Sequence, residues 1–128
     1  MMKRILGVAL AGALALTLAG TVPASAKDGD VIERGSCSGS TEWKLKLSPQ
    51  DNGIEVEFEV DSNVTGQSWR VRIFQNGDRI FAGTRETKGA SGSFSVRVVA
   101  DDTAGTDAFR GKAVNPSTDE TCVGRASF

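Results

Sequence analysis

The stretch Ile54–Ala82, IEVEFEVDSNVTGQSWRVRIFQNGDRIFA, decides the fold. Ile54, Val56, Phe58 and Val60 alternate with Glu55, Glu57 and Glu59, the period of two of a strand with one face in a core and one in water. Trp69, Val71 and Ile73 alternate with Arg70 and Arg72 in the same way. Between two β-rich runs stands Asn76-Gly77, a pair that tolerates the positive φ of a type I′ turn, so a tight hairpin is predicted there. In that hairpin Phe74 is expected opposite Arg79, and Arg72 opposite Phe81.

Outward from this stretch the same pattern recurs. A first strand is predicted over Cys37–Leu47, with Cys37, Trp43, Leu45 and Leu47 on one parity and Lys44 and Lys46 on the other. SPQDNG over 48–53 is a turn cluster, and 62–67 is a loop. After the hairpin, which runs from Ser68 to about Thr87, the loop at 88–92 leads to a fifth strand marked by Phe94, Val96 and Val98. A sixth strand is expected over 107–114 and a seventh over Thr121–Phe128, carrying Cys122, Gly124, Ala126 and Phe128 on one parity. Residues 27–36, opening with the polar KDGD, read as a loose arm. No helix period or internal repeat is present. About seven short strands with closely spaced turns predict an all-β fold, an antiparallel β-sandwich of immunoglobulin-like type. In that arrangement the first, second and fifth strands share one sheet. The third, sixth and seventh share the other, extended by the fourth.

The N-terminus predicts a compartment. Lys3 and Arg4 precede an apolar run from Ile5 to Val22, and Ala24-Ser25-Ala26 is a small-x-small cleavage signal. Residues 1–26 are therefore expected to be a signal peptide, and 27–128 one secreted, extracellular, monomeric domain with no transmembrane anchor in its mature form. Leu18-Ala19-Gly20 is followed by Thr21, where a lipidation site needs cysteine. Cys37 and Cys122, the only two cysteines, are expected to pair. They fall on the apolar parity of the first and last strands, and closing so long a loop stabilises by roughly 4–5 kcal/mol in the chain-entropy model.

The segments CSGS, WKLKL, GQSWRVRIFQNG, GSFSVR and ETCVGRASF resemble small, uncharacterised secreted actinobacterial proteins with an immunoglobulin-like β-sandwich. The resemblance spans nearly all of 27–128 and implies a compact extracellular all-β domain with no assigned activity. Asp107-x-Phe109 with Ala113-x-Asn115 is similar to the sixth strand of immunoglobulin-like domains, and Trp69 to their third-strand tryptophan. The cysteines depart from the antibody pattern, which bridges the second and sixth strands.

The chain has no histidine and no tyrosine. Histidine-based acid–base catalysis and histidine-ligated metals are thereby excluded, and no GxSxG elbow occurs. No catalytic residue, metal site or cofactor is expected. The formal charge is only −1, so distribution matters more than balance. Lys44 and Lys46 are expected to face Glu55, Glu57 and Glu59 across one sheet. On the other sheet the solvent parity is expected to gather Arg70, Arg72, Arg79, Arg85, Arg110, Lys112 and Arg125 with Phe74 and Phe81, and no carboxylate. Of these, Arg70, Arg72, Phe74, Arg79, Phe81, Arg110, Lys112 and Arg125 form the candidate ligand-binding set, because forked guanidiniums beside aromatic rings suit anionic groups. Asp101–Asp107 reads as a polar turn in which Asp107 anchors the next strand; a calcium loop is the competing reading. Trp43 and Trp69 share core parity.

The sequence thus predicts a secreted, non-enzymatic protein, binding or structural at the cell exterior and engaging anionic cell-wall polymers through a basic sheet face. A carbohydrate-binding module taking a polysaccharide, or an inhibitor domain taking a secreted protein, are the alternatives.

Overall fold

The computed structural model describes residues 29–128; the leader, its cleavage site and Lys27 lie outside the described residues. Eight strands are formed: β1 (Val31–Ser36), β2 (Glu42–Gln50), β3 (Gly53–Asp61), β4 (Ser68–Gln75), β5 (Asp78–Glu86), β6 (Ser93–Asp101), β7 (Ala108–Val114) and β8 (Thr121–Ser127). They make two four-stranded sheets, ordered β1-β2-β3-β6 and β5-β4-β7-β8, antiparallel throughout. This is the expected partition, with one strand more than the periodicity announced.

The added strand is β1, which replaces the expected loose arm. It pairs with β2 along its whole length, from Val31 opposite Leu47 to Ser36 opposite Glu42. Only Val31 and Gly35 of it are even half-buried, so its hydrophobic signal is weak and its order comes from ladder hydrogen bonds on an edge. Cys37 consequently lies in the β1–β2 turn rather than in a strand, its N–H donating to the Thr41 carbonyl at 2.8 Å.

The core is the sum of the inward parities. Leu45, Leu47, Ile54, Val56, Phe58, Val60, Trp69, Val71, Ile73, Val96, Phe109, Ala113, Cys122 and Phe128 are all buried. Phe58 lies at its centre, its ring against Gly111 so closely that a Cβ there would stand 2.8 Å from the ring. Trp43 is half-buried and lies between Gly35 of β1 and Gly124 of β8; a Cβ on either glycine would meet the indole at 2.6 Å. Those two glycines give the ring its slot. Truncating a fully buried ring such as Phe58 to alanine costs about 3–5 kcal/mol.

The disulfide Cys37–Cys122 joins the β1–β2 turn to β8, tying one sheet to the other across 85 positions of chain. Around it the β1–β2 turn is also held by Glu120, whose carboxylate accepts from the Thr41 N–H at 3.0 Å and the Thr41 hydroxyl at 2.6 Å. At the opposite end of the sandwich Asn76 (φ 49°) and Gly77 (φ 86°) both take positive φ, as the hairpin turn requires. Asp107 is fully buried beside this turn. Its carboxylate accepts from the Asn76 side chain (3.0 Å), the Gln75 side chain (3.2 Å), the Thr103 N–H (3.0 Å) and the Thr103 hydroxyl. Asp107 thereby anchors the 101–106 loop and the hairpin to the start of β7, the structural role predicted for it.

Candidate polyanion-binding face

The outer face of the β5-β4-β7-β8 sheet is a grid set by strand register. One row runs Arg79, Phe74, Arg110, Arg125; the next Ala82, Arg72, Lys112, Val123; the next Thr84, Arg70, Val114, Thr121. Neighbours within a row are about 5 Å apart and successive rows about 7 Å apart, from the geometry of pleated strands. Six of the predicted cations, Arg70, Arg72, Arg79, Arg110, Lys112 and Arg125, therefore share one surface with Phe74. Arg70, Arg72, Arg79 and Arg125 are exposed; Arg110, Lys112 and Phe74 are half-buried.

Two members of the expected set are elsewhere. The β4–β5 register shifts at Ile73/Phe74: Phe74 pairs with Arg79, but Ile73 pairs with Phe81, leaving Ile80 as the extra residue of a bulge. Beyond that point every β5 side chain exchanges faces. Arg72 is opposite Ala82, not Phe81, and Phe81 packs with Ile80 against the edge of the core. Arg85 moves with it, its guanidinium 5.1 Å from the Phe81 ring centroid and one N–H donating to the Thr84 carbonyl at 3.0 Å. Glu86, opposite Ser68, is turned to the outer face and places a carboxylate at the end of the grid. The two successive apolar residues Ile80-Phe81, which break the alternation of β5, were the available signal for the bulge.

None of the six cations has an ion-pair partner among the described residues. Their neighbours are worse than neutral. Arg72 is directly opposite Lys112, and Arg110 directly opposite Arg125; like charges in those positions destabilise a sheet. The Arg110 guanidinium lies 4.4 Å from the centroid of Phe74, a cation–π contact that fixes its stem and covers the ring. Arg70, Arg72, Lys112 and Val114 surround a shallow depression of about 160 Å³, and a second depression of about 280 Å³ flanks Arg70 and Arg72 on the β5 side, beside Ala82 and Thr84.

The other sheet's outer face is arranged oppositely. Register sets Lys46 against Glu57, Glu57 against Arg97 and Lys44 against Glu59. Glu57, only 7% exposed, lies 3.0 Å from Arg97 and 3.9 Å from Lys44, and Lys44 also reaches Glu59 at 4.0 Å. Lys46 turns to Asp30 at 3.7 Å. Glu57 and Glu59 lie beside lysines as expected, with Arg97 added from β6, whereas Glu55 is opposite Ser48 and Val99.

Two carboxylates have displaced titrations. Burial raises the Asp107 carboxyl, but the hydrogen bonds from Thr103, Asn76 and Gln75 outweigh it and hold the group below the usual aspartate range. Burial likewise opposes ionisation of Glu120, and its hydrogen bonds from Thr41 and the Gly39 backbone bring it below the usual glutamate range. Both groups serve the fold rather than the basic face. No group of three or more potential metal ligands is found among the described residues. Comparison with protein-family models, curated proteins and solved structures gave no match.

Proposed function

We propose that this protein is a secreted, non-enzymatic binding protein that holds an anionic polymer of the cell exterior against the outer face of its β5-β4-β7-β8 sheet. The observation that carries this reading is the set of six cations with no ion-pair partner among the described residues, two pairs of which face each other directly across strands. Placing Arg72 beside Lys112 and Arg110 beside Arg125 costs the fold stability. An external polyanion removes that repulsion on binding and releases its own counterions, so affinity falls steeply with salt. The disulfide supports an oxidising destination. Trp69 is fully buried and Trp43 is wedged between glycines, so neither offers the exposed ring a sugar platform needs.

The test is co-sedimentation of the purified protein with cell-wall sacculi, before and after anionic polymers are stripped, at low and high salt. Retention that requires the polymer and falls with salt is expected. Equal retention on stripped wall, insensitive to salt, would replace the reading with recognition of the neutral glycan; no retention in any condition would remove the wall as the ligand.

A further inference from the structure

The basic face is not uniform. Arg70 and Arg72 on β4 and Val114 and Lys112 on β7 are paired by register, Arg70 with Val114 and Arg72 with Lys112. They therefore stand at the corners of one rectangle, about 5 Å by about 7 Å, and the 160 Å³ depression lies among them. Three corners are cationic and one is apolar. We infer that this rectangle is a seat for a single phosphodiester group of a base-free polyol-phosphate chain. This inference rests on the polyanion reading above and names its ligand chemistry.

The donor geometry favours a tetrahedral anion. Two guanidinium forks rise from one strand and an ammonium from the next, so hydrogen bonds reach the depression from two sides. A carboxylate presents its acceptor sites in one plane and is satisfied by one guanidinium fork, whereas phosphoryl oxygens accept from several directions and can take two forks and an ammonium together. Val114 supplies a surface for the methylene carbons between phosphates. One row further along the strands, about 7 Å away, come Arg79, Arg110 and Arg125. A chain leaving the seat along β4 and β7 meets them with its next charge. In the other direction it meets Glu86, which repels it. The seat therefore sets the direction the polymer takes.

Phe74 separates such a chain from nucleic acid. Single-stranded nucleic acid is held by successive bases stacking on exposed aromatic rings. Phe74 is the one aromatic side chain on this grid, it is half-buried, and Arg110 lies over it at 4.4 Å. The face has charges for phosphates and no free ring for bases.

The deciding experiment is titration at low salt with three probes matched in number of charges: poly(glycerol phosphate), polygalacturonate and single-stranded DNA. The wild type is compared with Arg70→Lys/Arg72→Lys, which keeps charge and removes the forks, and with Arg79→Lys/Arg125→Lys outside the seat. The wild type is expected to bind poly(glycerol phosphate) at least about 10-fold more tightly than polygalacturonate. Arg70→Lys/Arg72→Lys is expected to reduce that preference below about 3-fold, weakening poly(glycerol phosphate) binding more than polygalacturonate binding. Arg79→Lys/Arg125→Lys is expected to keep it. A wild type without the preference, or a preference that survives Arg70→Lys/Arg72→Lys, overturns the seat while wall retention still upholds the basic face. DNA binding about 10-fold tighter than poly(glycerol phosphate) overturns the base-free ligand. Loss of wall retention by the wild type overturns the face itself.

Discussion

The two outer faces of this sandwich both carry cations and surround them in opposite ways. On the β1-β2-β3-β6 sheet Glu57 stands between Lys46 and Arg97 in register and within 3.0 Å of Arg97. On the β5-β4-β7-β8 sheet Arg72 meets Lys112 and Arg110 meets Arg125. The first arrangement stabilises the fold by small amounts, roughly 0.2–1 kcal/mol per cross-strand pair. The second costs the fold stability, and a single carboxylate at any of several positions would relieve it. Charge on the first face is satisfied within the sheet; charge on the second is left facing like charge among the described residues, and the proposed polyanion binding rests on that difference.

The comparison is broken most directly by reversing the second face. Arg70→Glu with Arg72→Glu is expected to lower retention on sacculi by about 100-fold or more, since each cation contributes charge-assisted hydrogen bonds of about 1.5–3 kcal/mol. The melting temperature should not fall. Retention unchanged in the double variant would show that the polymer, if held, is held elsewhere.

The matching change on the first face should act on stability alone. Glu57→Lys leaves a nearly buried cation between Lys44, Lys46 and Arg97 and is expected to destabilise by about 1–3 kcal/mol in urea unfolding. Wall retention of the folded fraction should be unaltered. A loss of retention would mean that the glutamate face also takes part in binding.

Acid separates the two roles further. The folded-state carboxyls of Asp107 and Glu120 lie below their ordinary values, so their stabilisation is complete above the unfolded-state carboxyl range. It is lost as pH falls through the folded values, that is, from about pH 4.5 downward. Denaturation should begin in that window, and Thr41→Val, which removes the hydroxyl donated to Glu120, should reduce the acid-sensitive part contributed by that group. The cations of the basic face are all arginine or lysine, and the chain has no histidine, so polymer retention should stay level between about pH 5 and pH 8. A sigmoidal change in retention there would point to a titrating group outside the grid.

The smallest effect is the most telling about trade-off. Lys112→Glu places a carboxylate opposite Arg72, converting a repulsive pair into an attractive one. Stability should rise by a few tenths to about 1 kcal/mol while retention falls. A destabilised Lys112→Glu would show that Lys112 serves the sheet after all.

Much of this arrangement was legible before the structure. The alternation in IEVEFEV and WRVRI, the Asn-Gly turn and the spacing of turn clusters were enough to divide the strands between two sheets, and hence to gather most of the cations. What was hidden has physical causes. β1 directs almost no hydrophobic mass inward, so its pairing rests on backbone hydrogen bonds that leave no mark on residue type. The β5 bulge adds one residue, Ile80, and a single addition moves Phe81, Arg85 and Glu86 to opposite faces from those that strict alternation assigns. Register in an edge strand is weakly encoded because few of its side chains must be buried. The absence of counter-ions around Arg72 and Lys112 depends on which strands adjoin, a property of the assembled sheet rather than of any one segment.

The Cys37–Cys122 bond has a mechanical consequence for the chain under load. Tension applied at the two ends of the chain passes through the bridge, so only β1 and the part of β8 beyond Cys122 lie in the loaded path. The 85 positions between the cysteines, about 300 Å of extended chain, are shielded from the pull. β4 and β7, which carry four of the six cations of the basic grid, belong to that shielded length, so their pairing can outlast the peeling of the ends.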